Sequence, residues 1–401
     1  MAEPGKADGR SDSVAGVFSA FLRLGCTSFG GPVTHLGYFR TEFVERRQWL
    51  DEATYADIVA LCQFLPGPAS SQVGVSLGLR RAGFLGGLAA WAGFTLPSAV
   101  LMVLFAYGAA RFGTAWHGAW LHGLKIVAVA IVAQAIWGMA RNLCPDRARA
   151  SLAVAATLLA LAVPGAFGQI GAILVGAFVG RAFLPAAAVP APGPAPPVSH
   201  RAAVLSLGLF AALLLGLPLL ADLSGSHAFD LGARFYRTGS LVFGGGHVVL
   251  PLLQASVVGP GWIGDDSFLA GYGAAQAMPG PLFTFAAYLG AAMEPSPNGW
   301  LGAGLCLLAI YLPSFLLLIG ILPFWDGLRR KAAVQSTLRG VDAAVVGLLM
   351  AAFYTPVWTG GIRSSTDFAV GLTAFLLLVF WRVPPWLVVL LGAAGGMILS
   401  A

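Results

Sequence analysis

Runs of roughly 20 mostly apolar residues recur from about residue 84 to the C-terminus. Each is as long as a helix must be to cross the hydrocarbon core of a bilayer. That feature leaves two architectures, helix bundles and closed barrels, because lipid offers no partner for an exposed backbone. A barrel would alternate apolar and polar residues with period two, and the runs do not alternate. Only 10% of the 401 residues are charged and 58% are apolar, whereas soluble domains carry about 25% charged residues. The lipid bilayer is therefore the expected partner.

The net charge of +6 points to topology rather than nucleic acid, since Arg and Lys stand at the ends of apolar runs. Cys26, Cys62, Cys144 and Cys306 form no CxxC pair, and the six histidines have no metal spacing. No metal site, disulfide framework or cofactor is expected. Residues 1–13 read as a cytoplasmic tail without a cleavable signal.

Spans fall near 14–33, 55–78, 84–108, 121–141, 150–164, 168–184, 202–221, 229–250, 267–291, 301–323, 338–356, 366–382 and 385–400. The second is broken by Pro66-Gly67-Pro68, and the pair at 150–184 is short enough to fold as a hairpin. Pro185 to Pro197 favours extended polyproline and reads as a linker. The halves on either side repeat. Phe21, Arg23 and Gly25 match Phe235, Arg237 and Gly239; Phe29-Gly30-Gly31 matches Phe243-Gly244-Gly245; and Trp49 matches Trp262. Gln63 with Pro66-Gly67-Pro68 matches Gln276 with Pro279-Gly280-Pro281. Leu96-Pro97-Ser98 matches Leu312-Pro313-Ser314, and Leu121 with Gly123 matches Leu338 with Gly340.

The expected fold is an all-α integral membrane protein of about 13 transmembrane helices, two inverted six-helix repeats plus a connecting helix. Its parts are a tail at 1–13, a repeat at 14–184, a Pro/Ala-rich linker at 185–200, a helix at 201–221 and a repeat at 222–401. The odd connecting helix inverts the second repeat, and loop charges swap between the halves as the positive-inside rule requires. One loop misfits. Arg40, Arg46 and Arg47 would lie outside, unless their segment is re-entrant.

Inverted repeats belong to transporters that bind substrate near the midplane on broken helices. Helix breaks are expected at Phe29-Gly30-Gly31-Pro32, Phe243-Gly244-Gly245-Gly246, Pro66-Gly67-Pro68 and Pro279-Gly280-Pro281. The N–H groups freed there can hold an oxyanion; as a bland reading, the same residues are kinks. Gln63 and Gln276 can donate to an oxyanion or join helices as polar glue. Ser70, Ser71, Gln72 and Thr284 can donate from the next turn or pack on helix carbonyls. Arg23 and Arg237 are anion-attracting or snorkelling arginines. His35 and His247 lie near the glycine runs as titratable or structural groups. Lys125 and Asp342 occupy equivalent positions and suit a coupling pair or a static ion pair.

Several of these motifs together resemble the chromate ion transporter family in its long two-domain form. They are Ser28-Phe29-Gly30-Gly31-Pro32 with His35, Phe43-Val44, Arg47 with Trp49-Leu50, and Leu61-Cys62-Gln63. Pro66-Gly67-Pro68, Gln72 and Phe94 with Leu96-Pro97-Ser98 continue the pattern. The resemblance implies a multi-pass secondary transporter of the bacterial cytoplasmic (inner) membrane. It would export chromate using proton motive force or exchange for an oxyanion such as sulfate. A sulfate or other tetrahedral oxyanion carrier of the same fold is the alternative. An intramembrane enzyme lacks its motifs here, since HExxH and GxSxG are absent, and a channel would not saturate. A homodimer is one assembly that such an apolar surface permits.

Overall fold

Proline and glycine decide where the first helices stop. The computed structural model describes residues 13–112, 119–163, 165–185, 198–243 and 246–399. The tail at 1–12, most of the linker and the two glycines Gly244 and Gly245 lie outside them. Helix α1 (Val14–Thr27) starts on a Ser13 side-chain cap. It ends before Gly30 and Gly31, whose φ values are +100° and +79°. α2 (Gly31–Phe39) restarts with Pro32 in its first turn, where the missing N–H costs nothing. A continuous helix would hold Phe21 and Phe39 about 27 Å apart, yet their rings are 5.5 Å apart. The chain has doubled back.

α3 (Glu52–Phe64) and the start of α4 (Ala69–Phe112) make a second hairpin, which turns at Pro66-Gly67-Pro68. Cys62 Sγ is 3.9 Å from Ser76 Oγ, where one helix would separate them by about 21 Å. α4 breaks again at Ala82 and Gly83. Gly78 then meets Gly86 backbone to backbone, so limbs 69–81 and 84–112 pack antiparallel. α5 (Ala119–Leu143), α6 (Arg147–Ala162), α7 (Ala166–Phe183) and α8 (His200–Ser224) follow.

The second half repeats this pattern. α9 (His227–Leu241) turns back into α10 (Val249–Val257), with Thr238 Oγ1 3.3 Å from Ser256 Oγ. α11 (Asp265–Ala277) turns at Pro279-Gly280-Pro281 into α12 (Phe285–Ala292), and Tyr288 Oη donates to the Ser267 carbonyl at 2.8 Å. The chain ends with α13 (Gly299–Ile321), α14 (Trp325–Arg329), α15 (Ala332–Ala352), α16 (Thr359–Gly361), α17 (Ser365–Val379) and α18 (Pro385–Leu399).

The runs expected to span near 14–33, 55–78, 229–250 and 267–291 are therefore hairpins of half-length helices rather than single crossings. This returns Arg40, Arg46 and Arg47 to the side of the chain on which α1 begins, which removes the charge misfit. Among the described residues, five helices are long and apolar enough to cross a membrane: Ala69–Arg111, Ala119–Leu143, His200–Ser224, Gly299–Arg329 and Ala332–Gly361. The described residues are almost wholly helical and contain no strand. The protein is a multi-pass membrane protein.

The halves interlock. The second limb of α4 and its counterpart α13 run antiparallel, since Trp91 meets Phe315 while Tyr107 meets Trp300. α6 and α7 of the first half pack on α15 of the second, and α17 and α18 pack on α5. Glycines allow this exchange. A Cβ on Gly123 would lie 2.1 Å from the Gly392 carbonyl oxygen, and one on Gly340 would lie 1.9 Å from that of Gly176. Small residues let membrane helices approach closely where no hydrophobic drive separates lipid from protein. α8 sits outside this core, with most of its apolar surface uncovered.

Candidate functional site

The turns of the hairpins meet, and they meet reciprocally. The Gly67 N–H of the first Pro-Gly-Pro donates to the Val242 carbonyl at the end of α9, at 2.7 Å. The Gly280 N–H of the second donates to the Ser28 carbonyl at the end of α1, at 2.8 Å. Val242 and Ser28 each directly precede a Phe-Gly-Gly, so the two bonds are equivalent. Each glycine has positive φ, +119° at Gly67 and +90° at Gly280. Each approaches its surroundings closely: a Cβ on Gly67 would lie 2.3 Å from Ser314 Cβ, and one on Gly280 would lie 3.0 Å from Ser98 Oγ. Ser98 and Ser314 are themselves repeat partners.

This geometry revises which amides can face a ligand. The Pro-Gly-Pro glycine N–H groups are spent on carbonyls at helix C-termini. The groups without an intrahelical partner are those of the first turns that follow, at 69–71 and 282–283, where the positive dipole end lies.

Pro66, Gly67, Pro68, Ser70, Ser71, Gln72, Pro279, Gly280, Pro281 and Thr284 are all buried at these turns. Gln72 Nε2 donates to the Pro66 carbonyl at 2.9 Å and braces the turn. Thr284 Oγ1 donates to the Pro281 carbonyl at 2.9 Å. Phe29 is half-buried beside Trp386, Phe243 is half-buried, and Gly246 opens a short 3-10 turn. Gln63 and Gln276 part company. Gln276 is half-buried, and its buried Nε2 has no hydrogen-bond partner. Gln63 is exposed, because α3 buries the stripe of Tyr55, Ile58, Leu61 and Cys62 and position 63 lies off it.

His35 is buried edge-on against Phe94, 5.2 Å between ring centroids. His247 Nδ1 is 2.8 Å from Tyr272 Oη. Arg23 lines a cavity of about 580 Å³ with Thr27, Thr34, Glu42 and Arg46. Arg237, its repeat partner, lines a pocket of about 20 Å³ with Thr238 and Ser256 and a second of about 210 Å³ with Asp222, Asp230 and Arg234. Lys125 pairs with Asp266 at 2.7 Å, not with Asp342. Asp342 is half-buried, within electrostatic reach of Arg149.

The sequence profile of the family described as "Chromate transporter" matches residues 15–181 and 229–397. The chain belongs to the chromate transporter family. It is 30% identical to a chromate transport protein of Pseudomonas aeruginosa, over 94% of this chain and 90% of that one. It is 25% identical to a chromate transport protein of Cupriavidus metallidurans, over 94% and 91%. An uncharacterized transporter of Bacillus subtilis matches 42% of this chain with 85% of its own length, at 33% identity. No solved structure gives a significant match. Membership of this family makes the chain a transport protein.

Two features of this family member escaped the sequence reading. The first is a pair of ion pairs joining the halves. Asp57 of α3 binds Arg329 at the end of α14, which also holds Asp326; Asp266 of α11 binds Lys125 of α5. α3 and α11 are counterparts, since each precedes a Pro-Gly-Pro. The second is a group of buried polar atoms without hydrogen-bond partners: Ser71 Oγ, Thr95 Oγ1, Tyr311 Oη and Trp91 Nε1. Positions 95 and 311 directly precede the Leu-Pro-Ser match, and that match was the available signal.

Proposed function

We propose that this protein is a secondary active transporter that exports chromate from the cytoplasm across a bacterial inner membrane by alternating access. One observation carries the reading: four hairpin turns, two from each half, meet and exchange equivalent hydrogen bonds through Gly67 and Gly280. Two repeats, 14–184 and 222–401, joined through 185–200 and the helix at 201–221, would be inverted. The antiparallel crossing of α4 and α13 supports this. Inverted halves have two near-equivalent arrangements, one open to each face.

The oxyanion is held by first-turn amides of α4 and of the turn before α12, with Ser70, Ser71, Gln72 and Gln276 beside them. A site of neutral donors suits a tetrahedral dianion without a fixed counter-charge, and sulfate shares that shape and charge. The relatives from Pseudomonas aeruginosa and Cupriavidus metallidurans are named for chromate, which favours chromate as cargo. The Asp57–Arg329 and Asp266–Lys125 pairs act as latches between halves.

Uptake of labelled chromate into inverted vesicles, with and without a pH gradient and with sulfate as competitor, tests the reading. Saturable uptake is expected. Linear, non-saturating flux, or no flux from properly inserted protein, overturns it.

A further inference from the structure

Four buried polar groups crowd one place where the halves cross. Ser71 is at the start of α4, Trp91 and Thr95 are on its second limb, and Tyr311 is on α13. Ser71 and Thr95 flank the Tyr311 hydroxyl, and the Trp91 ring lies 5.7 Å from that of Tyr311. Ser71, Thr95 and Tyr311 are each 1% exposed or less. None of Ser71 Oγ, Thr95 Oγ1, Tyr311 Oη and Trp91 Nε1 has a partner with hydrogen-bond geometry, although the Ser71 and Thr95 hydroxyls lie close enough to Tyr311 Oη to interact weakly with it. Folded proteins tolerate only a few such orphans per 100 residues, and four in one cluster demand a partner. Thr95 and Tyr311 are repeat equivalents, so they face each other at the crossing point of the two antiparallel helices.

We propose that these four groups form a cage for one tetrahedral oxyanion, with the hydroxyls of Ser71, Thr95 and Tyr311 and the Trp91 indole N–H as its side-chain donors. The cage rests on the transport reading above and deepens it. It sits at the N-terminal turn of α4, whose free amides supply further donors. All of its donors are neutral, so the anion is bound without being trapped by a fixed charge.

The test compares wild type with Tyr311→Phe, Thr95→Val and Ser71→Ala, each purified and each reconstituted. Two readouts are taken: chromate- or sulfate-induced shift in melting temperature, and KM for chromate uptake. A hydrogen bond to a charged acceptor is worth about tenfold or more in affinity. Each variant is expected to raise KM about tenfold and to shrink the ligand-induced shift. Without ligand, each should melt at the wild-type temperature or above, because it removes an unpaired group. Unchanged KM, a ligand-induced shift equal to wild type, or a lower melting temperature without ligand would each overturn the cage. Absence of chromate uptake by wild type, with an anion-induced shift that depends on Tyr311, would sink the transport reading while leaving the cage.

Discussion

Replacing Gly67 by alanine should be among the most damaging single-methyl additions in this chain. Its φ of +119° is a backbone region that costs an L residue about 1–3 kcal/mol. The new Cβ would sit 2.3 Å from Ser314 Cβ, whereas carbon atoms settle at about 3.5–4.0 Å. The turn must move by more than about 1 Å, and such overpacking adds about 1–3 kcal/mol. That movement also stretches the 2.7 Å bond to Val242, worth about 1 kcal/mol. The total is about 3–7 kcal/mol, enough to lower transport at least about 100-fold if the cost falls on the transport-competent arrangement. Gly280→Ala carries similar strain at φ +90° but its nearest contact is 3.0 Å, so about 2 kcal/mol is expected. Gly31→Ala, at φ +79° with nothing within 4 Å, should cost about 1 kcal/mol. The assay is initial chromate uptake per inserted molecule in inverted vesicles, with melting temperature measured alongside. A Gly67→Ala rate near wild type, or an order in which Gly31→Ala is worst, would refute this reasoning.

Other outcomes follow from the same contacts. Arg329→Ala removes a side chain that is 2% exposed and held by Asp57 and Asp326. It should destabilise by about 3–5 kcal/mol, seen as a fall in melting temperature, whereas Asp326→Ala, half-exposed, should be mild. Asp266→Asn leaves the buried Lys125 ammonium without its carboxylate partner and should slow transport more than Arg363→Gln does, measured as uptake at equal expression. In a chain without native cysteines, Gln48→Cys should label from the same side as the N-terminus, and Asn298→Cys from the opposite side. Gly123→Leu should abolish stable insertion, read as loss of monodisperse protein, because α5 and α18 pack backbone to backbone there and a Cβ on Gly123 would already lie 2.1 Å from the Gly392 carbonyl oxygen.

The sequence showed where helices break but not which way the chain leaves a break. Gly30-Gly31 and Pro66-Gly67-Pro68 announce an interruption through their φ preferences. Whether the chain continues or doubles back depends on partners far along it, such as Phe39 on Phe21. The repeat was legible because both Pro-Gly-Pro turns must satisfy the same constraint, a glycine pressed against a serine of the opposite half. The fate of the glycine amides was hidden, since Val242 and Ser28 are distant in sequence from the groups that bond them. Lys125 and Asp342 looked like partners because position in a repeat was the only guide. The carboxylate that Lys125 found, Asp266, lies on α11, a helix whose path depends on the hairpin. Gln63 and Gln276 matched by offset, yet the buried face of α3 turns Gln63 outward. Thr95 and Tyr311 differ in side-chain type, so their equivalence carried no chemical signal before the helices were seen to cross.

The most direct test of the central claim is an experimental structure of the protein in a lipid nanodisc with chromate bound. The account predicts the anion at mid-bilayer depth, where the Gly67 and Gly280 turns meet, within hydrogen-bonding reach of the first turn of α4. An anion bound away from those turns, or hairpins that point their turns at lipid, would contradict it.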